Sequence, residues 1–255
     1  MITKFSDYHG LYDHFHLTRS DDGVLTIRLH KDDGPLIWDL AVYEQLHNLL
    51  ANIDSDGENQ IVILTGTGDA FVAGADLGDP SESGTPSGYD PYYHYGSQQS
   101  IKLMNLRVPV IAALNGPVMI HTELPLLSDI VIATPGVAFK DGGHIPGGIV
   151  PGDGCQVIWE ELLGPVRAKY FLLMGQTIQS DQALSIGAVG EIVQPDQLMP
   201  RAKAIARQLL QIPPLTRRYT RMALNQRLLR RFSEAVPYGM ALEGLSLVEA
   251  IRSTR

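Results

Sequence analysis

The feature that most constrains the fold of this chain is a series of short, unbroken apolar runs: IVILTG from Ile61, PVIAALNG from Pro109 and IVIAT from Ile130. Runs of that length between turn residues belong to strands buried on both faces, as in a parallel sheet covered by helices. Between them lie segments of helical period. Asp39 is placed to cap a helix carrying Val42, Leu46, Leu49, Leu50 and Ile53 on one face, and further helices are predicted near Tyr93–Asn105 and after Pro117. The alternation predicts an α/β fold. Ahead of it, FHLTRSDDGVLTIRLHK alternates apolar and polar residues around Asp21-Asp22-Gly23, which reads as a hairpin. The stretch Gly78–Pro91, dense in Gly, Pro and Ser, reads as a mobile loop. From about Arg167 the helical period dominates, through AKAIARQLL and Pro214–Ser253. The expected division is an α/β core over 1–194 and a C-terminal helical segment over 195–255, serving as a lid or for oligomerisation.

Composition narrows the partners. The 255 residues carry a formal net charge of −8, which opposes binding to phosphate-rich nucleic acid. No apolar run is long enough to span a bilayer. The single cysteine, Cys155, excludes an internal disulfide framework, and the N-terminus lacks a secretory pattern, so a cytoplasmic location is expected. Arg217, Arg218, Arg221, Arg227, Arg230 and Arg231 cluster in the last helical stretch and read as a solvated face or a subunit contact.

Chemistry concentrates in AFKDGGHIPGGIVPGDGC, Ala138–Cys155, where glycines and prolines punctuate a segment holding His144 and Asp153. A neutral imidazole can take a proton from water, and a carboxylate on its other nitrogen fixes the tautomer and stabilises the imidazolium. A loop histidine bonded to backbone, with an aspartate closing a glycine turn, is the plainer reading of the same residues. His121 sits where a helix is expected to start, a place suited to holding an oxyanion or to a buried, satisfied histidine. Trp38 offers an indole N–H to a substrate carbonyl or simply packs. Glu243, among apolar neighbours in the last helix, could orient water or face solvent. FVAGADL, Phe71–Leu77, lets backbone N–H groups approach a ligand closely. There is no HExxH or Cys-rich spacing for a metal, no GxGxxG after a strand and no P-loop, so neither metal nor nucleotide cofactor is expected.

Taken in order, FVAGADL, PVIAALNG with SDIVIAT, the Pro151-Gly152-Asp153-Gly154 turn and LLMGQTIQSDQALSIGAVGEIV resemble the crotonase, or enoyl-CoA hydratase/isomerase, superfamily. The resemblance implies a spiral of ββα turns with C-terminal helices that pack between subunits, in homotrimers or dimers of trimers. It also implies an oxyanion hole between the turn at Ala75 and the residues near His121. The departures matter as much. Hydratases of the family carry a Gly-Gly-Gly stretch before a catalytic glutamate; here stands Met119-Ile120-His121-Thr122-Glu123, with Glu123 or Leu124 matching that glutamate, so Glu123 is a reserve candidate. No carboxylate matches the family's other glutamate beside His144. Coenzyme A also looks excluded. No Lys or Arg lies between Lys31 and Lys102, whereas Asp32, Asp33, Asp76 and Asp79 do, and like charges repel by roughly 4 kcal/mol at 4 Å for an effective dielectric near 20.

A His/Asp pair with an extra histidine and a tryptophan is similar to the β-diketone hydrolase branch, 6-oxocamphor hydrolase and its relatives. That likeness implies a water-activating dyad of His144 and Asp153, donors to a second carbonyl from His121 and Trp38, and an acidic contribution from Glu243. The expected activity is cofactor-free retro-Claisen cleavage of a small cyclic or bicyclic β-diketone. Two alternatives stand beside it: a CoA-thioester hydratase, isomerase or hydrolase, and a non-catalytic scaffold binding RNA or protein.

Overall fold

The computed structural model describes residues 3–76 and 78–253. A one-turn helix α1 (Phe5–Tyr8) precedes the expected hairpin, β1 (Phe15–Arg19) and β2 (Val24–Leu29). A short β3 (Ile37–Trp38) leads into α2 (Leu40–Ser55), which Asp39 caps by accepting from the Val42 N–H at 3.0 Å. Next come β4 (Ile61–Thr65), β5 (Gly74–Ala75), α3 (Pro80–Ser83), α4 (Pro86–Asn105) and β6 (Val110–Leu114). After α5 (Glu123–Leu126), β7 (Ile130–Ala133) and β8 (Ala138–Lys140) the chain turns helical: α6 (Cys155–Leu163), α7 (Pro165–Leu173), then β9 (Thr177–Gln179), α8 (Ser180–Ser185) and β10 (Glu191–Ile192). It ends with α9 (Leu198–Leu210) and the 40-residue α10 (Pro214–Ser253).

The main sheet runs β1-β2-β4-β6-β7-β10, antiparallel only at the β1–β2 hairpin. The apolar runs are unbroken because both faces are covered. Ile61, Ile63, Ile111, Ala113 and Ile132 pack against Leu198, Ala202 and Ile205 of α9, while Val62, Leu64, Val110, Ala112 and Leu114 face the larger core. Each fully buried aliphatic contributes about 1.5–3 kcal/mol. Residues from 195 onward therefore share the sheet's core through α9. No helix among the described residues is long and apolar enough to cross a membrane.

A second, inner layer builds the site. Trp38 pairs with Ala75 in the parallel β3–β5 ribbon, Val72 bridges to Val118, Val118 bridges to Phe139, and β8 pairs with β9. This layer corrects the expected helix after Pro117. The Val118 N–H donates to Ala138 O at 2.8 Å and Met119 N–H to Val72 O at 3.0 Å, so the segment is extended and only Glu123–Leu126 is helical. The Gly78–Pro91 stretch likewise differs from the expected loop. Most of it is helical, in α3 and the start of α4, with Thr85 capping α4 through the Gly88 N–H at 3.0 Å.

The arginine cluster is not one solvated face. Arg221 is buried and donates to the Leu103, Met104 and Leu106 carbonyls and to Asp129 at 2.7 Å, tying α10 to the end of α4. Arg217, also buried, bonds Gln60 and two backbone carbonyls, and Arg227 and Arg231 pair with Glu161.

Candidate active site

Seven segments converge on one buried acid–base cluster. β3 supplies Trp38, α2 supplies Tyr43, the turn after Val118 supplies His121, α5 opens with Glu123, the segment after β8 supplies Asp141 and His144, the turn before α6 supplies Asp153, and α10 supplies Glu243.

His121 adopts a left-handed backbone, φ 50°, unusual for a residue with a side chain and tolerated by histidine better than by most. Such local strain persists where surrounding structure holds it. Here Trp159 of α6 donates to the Thr122 hydroxyl at 2.8 Å and pins the turn. The imidazole lies against Trp38, ring centroids 4.2 Å apart. Its Nδ1 is 2.9 Å from Glu123 Oε1 and 3.1 Å from Asp153 Oδ2, and its Nε2 is 3.0 Å from the Tyr43 hydroxyl. Both ring nitrogens thus have protein partners, so His121 does not hold out an N–H to a substrate in the manner expected.

Asp153 is positioned by glycines on either side. A Cβ on Gly152 would lie 2.3 Å from the Gly239 carbonyl of α10, and Gly154 (φ 122°) would drive one into Phe232. Only bare backbone lets the turn enter between α10 and α6. The Asp153 carboxylate then accepts from the N–H of Cys155, the first residue of α6, at 3.1 Å.

His144 departs from expectation in its partner. Its Nδ1 bonds Asp141 Oδ1 at 2.7 Å, and its backbone N–H reaches the same oxygen at 3.3 Å. A carboxylate only accepts, so Nδ1 carries the proton. The nitrogen left facing the cluster is Nε2, 3.7 Å from Asp153 Oδ2 and 3.5 Å from Glu243 Oε2. The carboxylate behind the ring is therefore Asp141, and Asp153 is shared between the two histidines. Neither Asp141 nor Tyr43 was a site candidate from the sequence. Asp141 reads as part of a Gly-rich turn, and Tyr43 falls on the apolar face of α2 with Leu46 and Leu50. The available signal for Tyr43 is a hydroxyl on an otherwise aliphatic stripe.

The electrostatics follow from this packing. Burial pulls the His121 pKa down, but Glu123 and Asp153 outweigh it and push it up to about 10. Burial also opposes the charged form of His144, and the Asp153 charge, with the Asp141 hydrogen bond, drives its basicity well above the ordinary histidine value. Asp153 itself is held low, since the two imidazoles overcome its own desolvation. Burial and the Asp153 charge raise Glu123 to about 7, and burial raises Glu243. Cys155, buried beside Asp141, stays a thiol because burial and the Asp153 charge push it well up. Two triplets, Asp141-His144-Cys155 and His121-Glu123-Asp153, bring possible metal-ligand atoms within 4.8 Å of one another. In each, the ring Nδ1 is already committed to a carboxylate of the set.

Trp38 is fully buried and its indole N–H has no partner among the described residues, so it is a donor held in reserve. Near the start of α2 and α4, a cavity of about 460 Å³ is lined by Asp39, Leu40, Asp76, Asp79, Glu82 and Tyr92.

A family model described as enoyl-CoA hydratase/isomerase matches residues 19–241. Among curated proteins, a short-chain-enoyl-CoA hydratase of Clostridium acetobutylicum is 34% identical over 185 residues, 72% of this chain and 70% of that one. Among solved structures, a β-diketone hydrolase from the cyanobacterium Anabaena, bound to (S)-3-oxocyclohexyl acetic acid, is 36% identical with a TM-score of 0.93 and covers 95% of this chain and 97% of its own. An enoyl-CoA hydratase/isomerase from Mycobacterium paratuberculosis is 26% identical with a TM-score of 0.87, covering 96% and 98%.

Proposed function

Because the chain belongs to the enoyl-CoA hydratase/isomerase family and has the crotonase fold, yet carries His121 in place of the hydratases' Gly-Gly-Gly stretch and His144 beside a position without their second glutamate, we propose that it hydrolyses a carbon–carbon bond of a small β-diketone without coenzyme A. One observation carries the reading: a single buried carboxylate, Asp153, bonds His121 and faces His144 at 3.7 Å. That arrangement supplies a strong, oriented base and a separate cationic region a few ångströms apart.

In this reading His144, held by Asp141, takes a proton from water at Nε2, with Glu243 and Asp153 beside that water. Hydroxide adds to one ketone carbon. The tetrahedral adduct then breaks its bond to the carbon between the two carbonyls, giving a carboxylic acid and the enolate of the second carbonyl. Donors from Trp38 and the His121 side stabilise the enolate oxygen, and the His144 imidazolium returns its proton to carbon. The net reaction is diketone plus water to keto acid. Removing one such donor typically costs about 2.7–4 kcal/mol. Glu123, raised to about 7 and bonded to His121, supports the cationic ring and does not itself take water's proton. Ala75 pairs with Trp38 in the β3–β5 ribbon, and in this reading its backbone borders the same end of the site. The acidic cavity beside Tyr92 supports a neutral substrate over one bearing phosphates, and the keto acid held by the Anabaena relative supports a bicyclic 1,3-diketone as substrate class.

The test is incubation with a symmetric bicyclic 1,3-diketone in ¹⁸O-water, without coenzyme A. A keto acid bearing one ¹⁸O in its carboxylate is expected. The competing reading, favoured by the curated relatives' names, is hydration of enoyl-CoA; turnover of crotonyl-CoA with none of the diketone would replace the proposal.

A further inference from the structure

The two nitrogens of His121 are both occupied, so the hydrogen bond that its side of the site makes to a substrate needs another group. Tyr43 fits that place. Its hydroxyl lies 3.0 Å from His121 Nε2, and its ring meets Trp38, His121 and Tyr92 edge-on at 5.5, 5.3 and 5.8 Å. Tyr43 is 6% exposed. With His121 protonated and its Nδ1–H directed at Glu123 and Asp153, its Nε2–H donates to the Tyr43 oxygen. The phenolic O–H then has no acceptor among the described residues. The indole N–H of Trp38, whose ring lies tilted against the same imidazole, is in the same condition. Two unspent donors therefore border one cationic ring.

We infer that the Tyr43 hydroxyl and the Trp38 indole N–H form the hole for the enolate oxygen, with the His121 imidazolium behind Tyr43 as its polarising charge. The inference rests on the proposed hydrolysis and specifies its second half-site. Tyr43 donates and does not surrender its proton. Burial and the surrounding Glu243, Asp153 and Glu123 carboxylates hold the phenol far above its ordinary pKa, so proton accounting stays with His144 and water. A hydrogen-bond chain from a fixed cation through a phenol lowers the energy of developing enolate charge more than that of a neutral ketone. The effect accordingly falls on kcat.

The test substitution is Tyr43→Phe, which keeps the ring contacts and removes one oxygen. On the bicyclic diketone we expect kcat to fall roughly 100- to 1,000-fold with KM changed little, and to fall much less on a diketone whose leaving enolate carries an electron-withdrawing fluorine. An unchanged kcat, or an equal loss on both substrates, overturns the assignment. A binding measurement separates this from the reading it rests on. The anion of 1,3-cyclohexanedione, a stable enolate, should bind the wild type at least about tenfold more tightly than Tyr43→Phe. Equal affinity overturns the role of Tyr43, whereas tight binding by a wild type that hydrolyses no diketone overturns the reaction.

Discussion

Among single residues Asp153 has the most consequences, because one carboxylate touches both histidines. The Asp153 charge is the leading force that raises the basicity of His144 against its burial. A base works only when unprotonated, so kcat/KM should rise with pH along a limb lying above the ordinary histidine pKa near 6.5. Replacing the charge with an isosteric amide removes that force. Asp153→Asn should lower kcat at its optimum and move the limb to lower pH, measured as a kcat/KM profile from pH 5 to 10. A limb left where it was would mean that Asp153 does not set the basicity of His144. Asp141 acts differently: its 2.7 Å bond holds the Nδ1 proton and so leaves Nε2 as the basic nitrogen.

At the scale of elements, the site depends on how close the Asp153 turn comes to α10, which also carries Glu243. Gly152→Ala places a methyl 2.3 Å from the Gly239 carbonyl. The turn and the helix must then separate, and both lower activity and a loss of about 1–3 kcal/mol in stability are expected, read from kinetics and from denaturant unfolding. Wild-type values for both would show that the contact is not tight. The strands were legible because burial on both sheet faces writes itself as unbroken apolar runs, and α10 because its 40 residues hold helical period past Pro237. The segment after Pro117 was not. Val118 owes its extended state to partners at residues 72 and 138–139, far away in the chain, and local pattern is blind to such pairing. The site shows the same limit. His121, His144, Asp153, Trp38 and Glu243 could be named from residue type and family likeness, whereas the allocation of carboxylates, Asp141 to His144 and Asp153 chiefly to His121, is decided by tertiary distance alone.

For the whole molecule, α7 and α10 leave large apolar side chains outside: Val166, Tyr170 and Leu173 on one, Leu224, Tyr238 and Leu245 on the other. We propose that these surfaces are covered by further copies of the chain, in the homotrimer or paired trimer expected from the family likeness. Sedimentation should give a trimer or hexamer mass, and a monomer at micromolar concentration would contradict it. The acidic surface and the carboxylate-lined cavity agree with a substrate that enters neutral and a product that leaves as an anion. All of this turns on one imidazole acting on water. The most direct measurement is therefore single-turnover conversion of a bicyclic 1,3-diketone by wild type and by His144→Ala, with binding of 1,3-cyclohexanedione as the check that the variant's site is intact. The account predicts binding within a few fold and a rate at least about 1,000-fold lower in the variant. A variant that still opens the diketone at the wild-type rate would contradict it.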